Sequence, residues 1–237
     1  MSKRRRNFII VLVVLLFAAL LFMMYKLFSV RGITVLGAED IDASAVTEMS
    51  GIQIDQSVFL IDKQAALDAI DADPLLKAVS VQITYPDRVT IIVAQRAAAA
   101  YVLKEDVLLV VDKECFLLNV VSGTPQTRYP VVSGLKMDTF EVGERVGAHD
   151  TFQLDVLERV LTQMEQSDIG VTEINVTWAA NIILQTDSGF SVEIGDDTQL
   201  EEKFNLAIRA IEELQNRGLF GGVLDVSAVG SAYYQGN

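Results

Sequence analysis

The chain has 237 residues, 51% of them hydrophobic, with 19 Lys+Arg against 32 Asp+Glu and a formal net charge of −13 at pH 7. A charge of that sign argues against nucleic acid as a partner, because a polyanion is repelled by it. The single cysteine, Cys115, excludes an intrachain disulfide, so the fold must rest on its own apolar core.

Lys3, Arg4, Arg5 and Arg6 precede a run from Phe8 to Tyr25 that has neither a charge nor a proline. As a helix that run is about 27 Å long, close to the thickness of a hydrocarbon core. Extended to Phe28, with Lys26 reaching back to the interface, it reads as a transmembrane helix over 8–28. The basic cluster then keeps a short segment, 1–7, in the cytoplasm and exports the rest. A cleaved signal peptide starts in the same way. Here the apolar run exceeds the length of its core region, and Met23, Met24, Tyr25 and Lys26 offer no small-residue cleavage site. Of the 19 basic residues, Lys3, Arg4, Arg5, Arg6 and Lys26 lie at or before the span, which leaves 14 against all 32 acidic ones and a formal charge of −18 beyond it.

Next, Val30, Ile33 and Val35 mark a strand ended by Gly37, and Glu39, Asp40 and Asp42 mark the start of a helix carrying Val46 and Met49 and stopped by Gly51. Asp62 caps a second helix whose inner face holds Ala66, Leu67 and Ile70, with Pro74 preventing its continuation. Val79, Val81 and Ile83, then Val89, Ile91 and Val93, alternate with more polar neighbours as two strands. Tyr85-Pro86-Asp87-Arg88 joins them, read as a type I turn with Pro86 second. A bare hairpin is marginal in water. The order strand, helix, helix, strand, strand covers it with a three-stranded sheet under two helices, closing a unit from Phe28 to Arg96.

Beyond a small-residue hinge, Ala97 to Ala100, short strands follow at Tyr101 to Leu103, Val107 to Val111 and Phe116 to Val120, with turns at Lys104-Glu105-Asp106 and Asp112-Lys113-Glu114. SGTPQTRYPVVSG reads as a loop. From about Asp150 a helix aligns Phe152, Val156, Leu157, Val160, Leu161 and Met164. Strands are expected at Val171 to Trp178, Asn181 to Thr186 and Phe190 to Ile194, the last two joined by Asp187-Ser188-Gly189. Thr198 and Glu201 have capping-box spacing before a helix with Leu200, Phe204, Ala207, Ile208, Ile211 and Leu214 inward, broken by Gly218, Gly221 and Gly222. A final strand runs from Val223 to Tyr234. No internal repeat or low-complexity linker is found.

Catalytic chemistry has little to work with. The one histidine, His149, stands in a polar turn, where a solvated residue fits better than a zinc ligand without partners. There is no G-x-S-x-G, and Gly218 to Gly222 follows a helix where a phosphate loop would precede one. The pairs Asp196-Asp197, Glu201-Glu202, Glu212-Glu213 and Asp71-x-Asp73 fit solvated faces or helix starts. Cys115 has no nearby His or second Cys, and Trp178 and Phe190 read as core or strand-pair aromatics. No catalytic, cofactor or metal residue is assigned, and the chain is read as a binding protein. The tail resists the plain reading, because a terminal strand at a sheet edge offers N–H and C=O groups that another chain's strand completes, with Tyr233 and Tyr234 as anchors. An inner strand with a frayed end is the competing reading.

The ordered segments FSVRGITVLG, DPLLKAVSVQITYPDRVTIIVAQR, LVVDKECFLL, YPVVSGL and TDSGFSVEIGDDTQLEEKFNLAIRAIEEL before VLDVS resemble the FtsQ/DivIB family of bacterial cell-division proteins over nearly the whole chain. The resemblance implies an α+β protein: one transmembrane helix, a POTRA domain (β-α-α-β-β) at 29–96, and a β-rich domain with two helices at 97–237. Family members often carry Glu-Arg and then Pro after the POTRA hairpin, where Gln95, Arg96 and four alanines stand here, and a glycine where Cys115 lies. The implied function is that of a single-pass division scaffold at the septum, with no cofactor or small-molecule substrate. It would hold small bitopic partners of the FtsL and FtsB/DivIC type and help coordinate septal peptidoglycan synthesis. In the family the last strands pair with a partner strand, which maps onto Leu224, Val226, Ala228, Gly230, Ser231, Tyr233 and Tyr234. Two other classes stand beside it: a membrane-anchored POTRA chaperone for exported chains and a cell-wall hydrolase using carboxylates.

Overall fold

The computed structural model describes residues 3–37, 41–105, 107–125 and 128–236, so the expectations for Glu39, Asp40 and Asp106 lie outside it. Helix α1 (Lys3–Leu27) is continuous, as its uninterrupted apolar sequence requires. Its stretch Asn7–Leu27 has a mean hydropathy of 3.1 and is long and apolar enough to cross a membrane. The chain divides between Gln95 and Arg96 into two units, the first including α1.

In the first unit β1 (Gly32–Leu36), α2 (Ala43–Met49), a 3-10 turn (Val58–Leu60), α3 (Lys63–Asp71), β2 (Leu76–Thr84) and β3 (Arg88–Gln95) follow in order. The sheet order is β1-β3-β2, with β1 parallel and β2 antiparallel to β3. Both helices begin where an aspartate satisfies free backbone donors. Asp42 accepts from the Ser44 N–H at 2.9 Å, and Asp62 from the N–H groups of Gln64 and Ala65, both at 3.1 Å. Val46, Ala66 and Ile70 press onto Val81, Val89, Ile91 and Val93 to form the core. Gly37 ends β1 at φ +99°, where a Cβ would stand 2.1 Å from the Val93 carbonyl oxygen.

Two details of the hairpin differ from the sequence reading. The Tyr85–Pro86 bond is cis, and three residues, 85–87, separate the paired Thr84 and Arg88, so the turn is not type I with Pro86 second. The register shifts between Ala78 and Ser80, which turns Val79 outward while Val81 stays in the core. A bulge of this kind breaks strict alternation without any signature in composition.

The second unit runs through β4 (Ala100–Lys104), β5 (Val107–Val111), β6 (Leu117–Ser122), β7 (Val131–Ser133), β8 (Met137–Thr139), β9 (Gly147–Ala148) and α4 (Thr151–Glu165). It continues through β10 (Val171–Asn175), β11 (Ile182–Thr186), β12 (Phe190–Gly195), α5 (Leu200–Asn216), β13 (Gly222–Asp225) and β14 (Tyr233–Gln235). Nine of these strands form one sheet, ordered β14-β13-β12-β11-β10-β7-β4-β5-β6, and β8 pairs with β9. Val156, Leu157, Val160 and Leu161 of α4 and Phe204 and Ala207 of α5 share one core with Leu109, Val132, Ile174, Leu184 and Val192.

The sequence reading misses the β8–β9 pair and, within the expected loop, strand β7. Strand β7 runs parallel to both β4 and β10 and so welds the meander to the rest of the sheet. The supposed hinge is partly strand, since the Ala99 N–H donates to the Val111 carbonyl at 2.8 Å and Ala100 opens β4. Strand β10 stops at Asn175, whose Oδ1 accepts from the Thr177 N–H, and leaves Trp178 exposed rather than strand-paired. Phe152 of α4 is likewise exposed.

Helix α5 has no capping box. Its N-cap is Gln199 in the left-handed region at φ +52°, and the Thr198 hydroxyl donates instead to Asp196 Oδ1 at 2.6 Å. Lys203, buried with 2% of its side chain exposed, sends its Nζ to the Asp196 carbonyl at 2.9 Å and to Oδ1 at 2.7 Å. Together with the Thr198 hydroxyl this ammonium holds the Asp196 carboxyl down at about 2.

Candidate functional site

The tail forms a hairpin, not the single strand expected from Val223 to Tyr234. After Gly218, Gly221 and Gly222, all at positive φ, β13 runs parallel to β12, and the Val226 N–H extends that ladder to the Glu193 carbonyl at 3.0 Å. The chain then reverses, and β14 returns antiparallel with Val223 opposite Gln235, Leu224 opposite Tyr234 and Asp225 opposite Tyr233. Reversal follows from the sequence of the loop, where Gly230 at φ +92° and the Ser231 N–H bonded to the Ala228 carbonyl close a turn.

This geometry sorts the seven residues singled out from the sequence. Leu224 and Val226 point into the core and are closed to a partner. Ala228 and Gly230 are exposed in the loop, with Ser231 half-buried beside them. Tyr234 is half-buried, its ring 6.3 Å from Phe190 and its hydroxyl donating to the Gly221 carbonyl at 3.1 Å. Tyr233 stands on the opposite face with 67% of its surface exposed. Backbone directions alternate along a strand. With Val226 bonded to β12, Leu224 bonds the same way and Val223 and Asp225 bond to β14. Tyr233 and Gln235 therefore bond inward, and Tyr234 presents its N–H and C=O to the free edge.

Two other edges are partly closed. At β6 the Leu117 N–H donates to the Glu144 carbonyl at 2.8 Å and the Gly143 N–H to the Leu117 carbonyl at 3.0 Å, so that loop covers the strand's start. In the first unit, the Val30 N–H donates to the Gln56 carbonyl and the Asp55 N–H to the Val30 carbonyl, closing the approach to β1. Further along β1 the edge is open beside a cleft of about 690 Å³, lined by Ile33 and Val35 of the strand and Thr47 of α2, with Ile52 at its floor.

Several of the groups considered for chemistry are tied into the fold by backbone bonds or ion pairs. His149 is exposed, its backbone N–H bonded to the Lys136 carbonyl at 2.9 Å. Asp196 pairs with Lys203, Asp197 with Arg159 at 2.5 Å, and the Asp71 carboxylate accepts from the Ala78 N–H at 2.8 Å. Burial pushes the Cys115 thiol up to about 12, away from reactive thiolate. Cys115 also lies at φ +59°, the region that favours the glycine expected there. Among the described residues no group of three or more His, Cys, Asp or Glu is placed to hold a metal.

A buried charged cluster went unnoticed in the sequence. Arg96 Nη1 meets Asp112 Oδ2 at 2.6 Å with 6% of each side chain exposed, and the guanidinium sits 3.7 Å over the Phe116 ring. Asp112 Oδ1 accepts from the N–H groups of Glu114 and Phe116 at 2.9 and 2.8 Å. The signal available was an Asp at a turn start, where such side chains take up backbone donors.

Residues 28–96 match the family model described as POTRA domain, FtsQ-type. The cell division protein DivIB of Clostridium botulinum is 23% identical over 212 residues, 89% of this chain and 80% of that protein. The cell division protein FtsQ of Corynebacterium glutamicum is 26% identical over 177 residues, 75% of this chain and 76% of that one. The solved major extracytoplasmic domain of DivIB from Geobacillus stearothermophilus, in its trans isomer, aligns at 14% identity with a TM-score of 0.32, covering 52% of this chain and 97% of that one.

Proposed function

Since the chain belongs to the FtsQ/DivIB family of bacterial cell-division proteins, we propose that it is a membrane-anchored division scaffold that binds its partners through the β14 edge. The partners are small bitopic coiled-coil proteins of the FtsL and FtsB/DivIC type. Lys3, Arg4, Arg5 and Arg6 hold the N-terminus in the cytoplasm, and both folded units work outside the membrane at the septum. The observation that carries the reading is the open edge at Tyr234 beside the exposed Tyr233 ring. A docked strand gains main-chain bonds there, and the ring supplies a contact of the kind that dominates interfaces.

The test is binding of the full chain in detergent to the ectodomains of the small division proteins of the same genome, wild type against Tyr233→Ala. Truncating an exposed ring leaves the core intact, and loss of a central aromatic anchor costs about 2 kcal/mol, or roughly thirtyfold in affinity. Unchanged affinity in the variant excludes the tail as the contact. The cleft beside β1 supports a second reading, in which the first unit takes an extended peptide. A protein working there as a chaperone would bind many unrelated peptides with similar weakness, whereas a scaffold discriminates.

A further inference from the structure

Large apolar side chains crowd the end of the first unit at which α1 stops. Phe28 follows Leu27 directly, and its N–H donates to the Met24 carbonyl at 3.0 Å, continuing the helix's last turn. The Phe28 ring lies 5.2 Å from Phe59 and 6.3 Å from Tyr85, which are 5.9 Å from each other. Phe28 is partly buried against the core. The side chains around it are not: Phe59 is 65% exposed, Leu60 73%, Tyr85 60% and Ile54 56%. The segment carrying three of them is tied to the chain leaving α1 by main-chain bonds, Val58 N–H to the Phe28 carbonyl and Asp55 N–H to the Val30 carbonyl, both at 2.9 Å. The Tyr25 hydroxyl adds a bond to the Asp55 carbonyl. These residues are thus fixed relative to the helix end.

The helix sets their height. Asn7–Leu27 has 21 residues, about 31 Å of helix, which matches a hydrocarbon core of roughly 30 Å. Phe28 and the rings stacked on it then fall at the level of the headgroups, where amphipathic aromatic side chains concentrate. Two exposed cations share that level. Lys26 and Arg31 have 54% and 63% of their side chains exposed and pair loosely, at 3.9 Å to Asp55 and 3.8 Å to Asp87, with Arg31 Nη2 also donating to the Lys26 carbonyl at 3.4 Å. Both remain available to lipid phosphate.

We propose that Ile54, Phe59, Leu60 and Tyr85 form a seat that rests the first unit on the lipid interface from which α1 emerges. The occupant is the bilayer itself, because chain continuity with the spanning helix brings these side chains to it. Seating fixes which end of the unit faces lipid. The 85–87 turn of the β2–β3 hairpin meets the headgroups, and the other end of β2 lies about 26 Å away along the strand, eight residue steps from it. The proposal rests on α1 spanning the bilayer.

The experiment uses the full chain reconstituted in vesicles of phosphatidylethanolamine and phosphatidylglycerol, half of them made with acyl chains brominated near the headgroup. Trp178→Phe removes the native tryptophan, and a single tryptophan is then introduced as Phe59→Trp, Tyr85→Trp or, as the distant site, Leu75→Trp. Brominated lipid is expected to quench the tryptophans at 59 and 85 at least about twofold more than the one at 75, with blue-shifted emission at the first two. Chain that fails to float with the vesicles overturns the spanning helix and the seat together. Chain that floats while all three tryptophans are quenched alike overturns the seat alone. The substitutions at 59 and 85 are independent of each other, so quenching at only one of them also counts against a shared seat.

Discussion

Replacing Gly222 with alanine should detach β14 while leaving the core intact. Gly222 has φ +109°, and a Cβ there would stand 2.6 Å from the Gln235 carbonyl oxygen and 2.9 Å from Tyr234 Cε2. The nearer atom is backbone held by the ladder, so the strand itself must move. A non-glycine residue in that region also costs about 1–3 kcal/mol. Against this stand three paired residues, the Tyr234 ring beside Phe190 and its hydroxyl bond to Gly221. Each hydrogen bond contributes about 0.5–1.5 kcal/mol net and the ring pair a similar amount. Ordering each residue costs about 1–2 kcal/mol, which offsets most of that gain. The strand is therefore held by a margin no larger than the strain alanine introduces. Hydrogen exchange reads the result directly. In the wild type the Tyr233 and Gln235 amides should be protected and the Tyr234 amide, facing the free edge, should exchange fast. In Gly222→Ala all three should exchange fast while amides of β11 and β12 keep their protection. Unchanged protection at Tyr233 and Gln235 in the variant would refute both the clash and the assignment of backbone directions.

Three further outcomes are expected. Asp112→Ala removes the carboxylate 2.6 Å from the buried Arg96, leaves Glu114 Oε2 at 3.5 Å as a weaker partner and frees two backbone donors, so urea denaturation should show a loss of about 2–4 kcal/mol, with Asp112→Asn losing less; a loss below about 1 kcal/mol would count against a buried pair. Burial raises the Cys115 thiol from 9.0 to about 12, so between those values the unfolded chain releases a proton that the folded chain keeps. That contribution is fully present below about pH 9 and is lost at up to about 1.4 kcal/mol per pH unit as pH rises toward 12. Denaturation at about pH 8 and about pH 10 should show a steeper fall in wild type than in Cys115→Ala, and parallel falls would sink the assignment. Lys203→Met should leave stability within about 1 kcal/mol of wild type, because Asp196 remains solvated, whereas Asp196→Ala, which leaves the buried ammonium one partner fewer, should cost about 1–3 kcal/mol by thermal melting.

The sequence made the first unit legible because its signals are local and agree with one another. Asp42 and Asp62 stand where helix donors need them, Val89, Ile91 and Val93 alternate cleanly, and Pro74 and Gly37 stop what they should stop. In the second unit the helices were plain from the spacing of Val156, Leu157, Val160 and Leu161. Strand β7 was not, since three residues after a proline carry no periodicity and pair only with strands far away in sequence. The capping box at Thr198 failed through a tertiary effect: Lys203 draws the Asp196 carboxylate into a local cluster that captures the Thr198 hydroxyl. The tail misled for a similar reason. Alternation from Val223 to Val226 and the paired tyrosines looked like one strand, yet Gly230 allows the reversal that makes Leu224 an inner residue.

That reversal changes what a partner can gain. A continuous terminal strand would offer four to six main-chain bonds, whereas the β14 edge offers the N–H and C=O of Tyr234 and little more. Two bonds at about 0.5–1.5 kcal/mol each fall well short of the roughly 8 kcal/mol that micromolar binding requires. Short edge strands are one of the ways in which proteins avoid indiscriminate pairing, so this edge alone selects no partner. Affinity at this surface must come from side chains beside the edge, and Tyr233 is the large exposed one on β14 itself, with Ala228 and Gly230 leaving room in the adjoining loop. Substitution of Tyr233 should accordingly weaken a complex more than any change that removes a single main-chain bond, and the partner should bring an apolar side chain to meet that ring next to its docking strand.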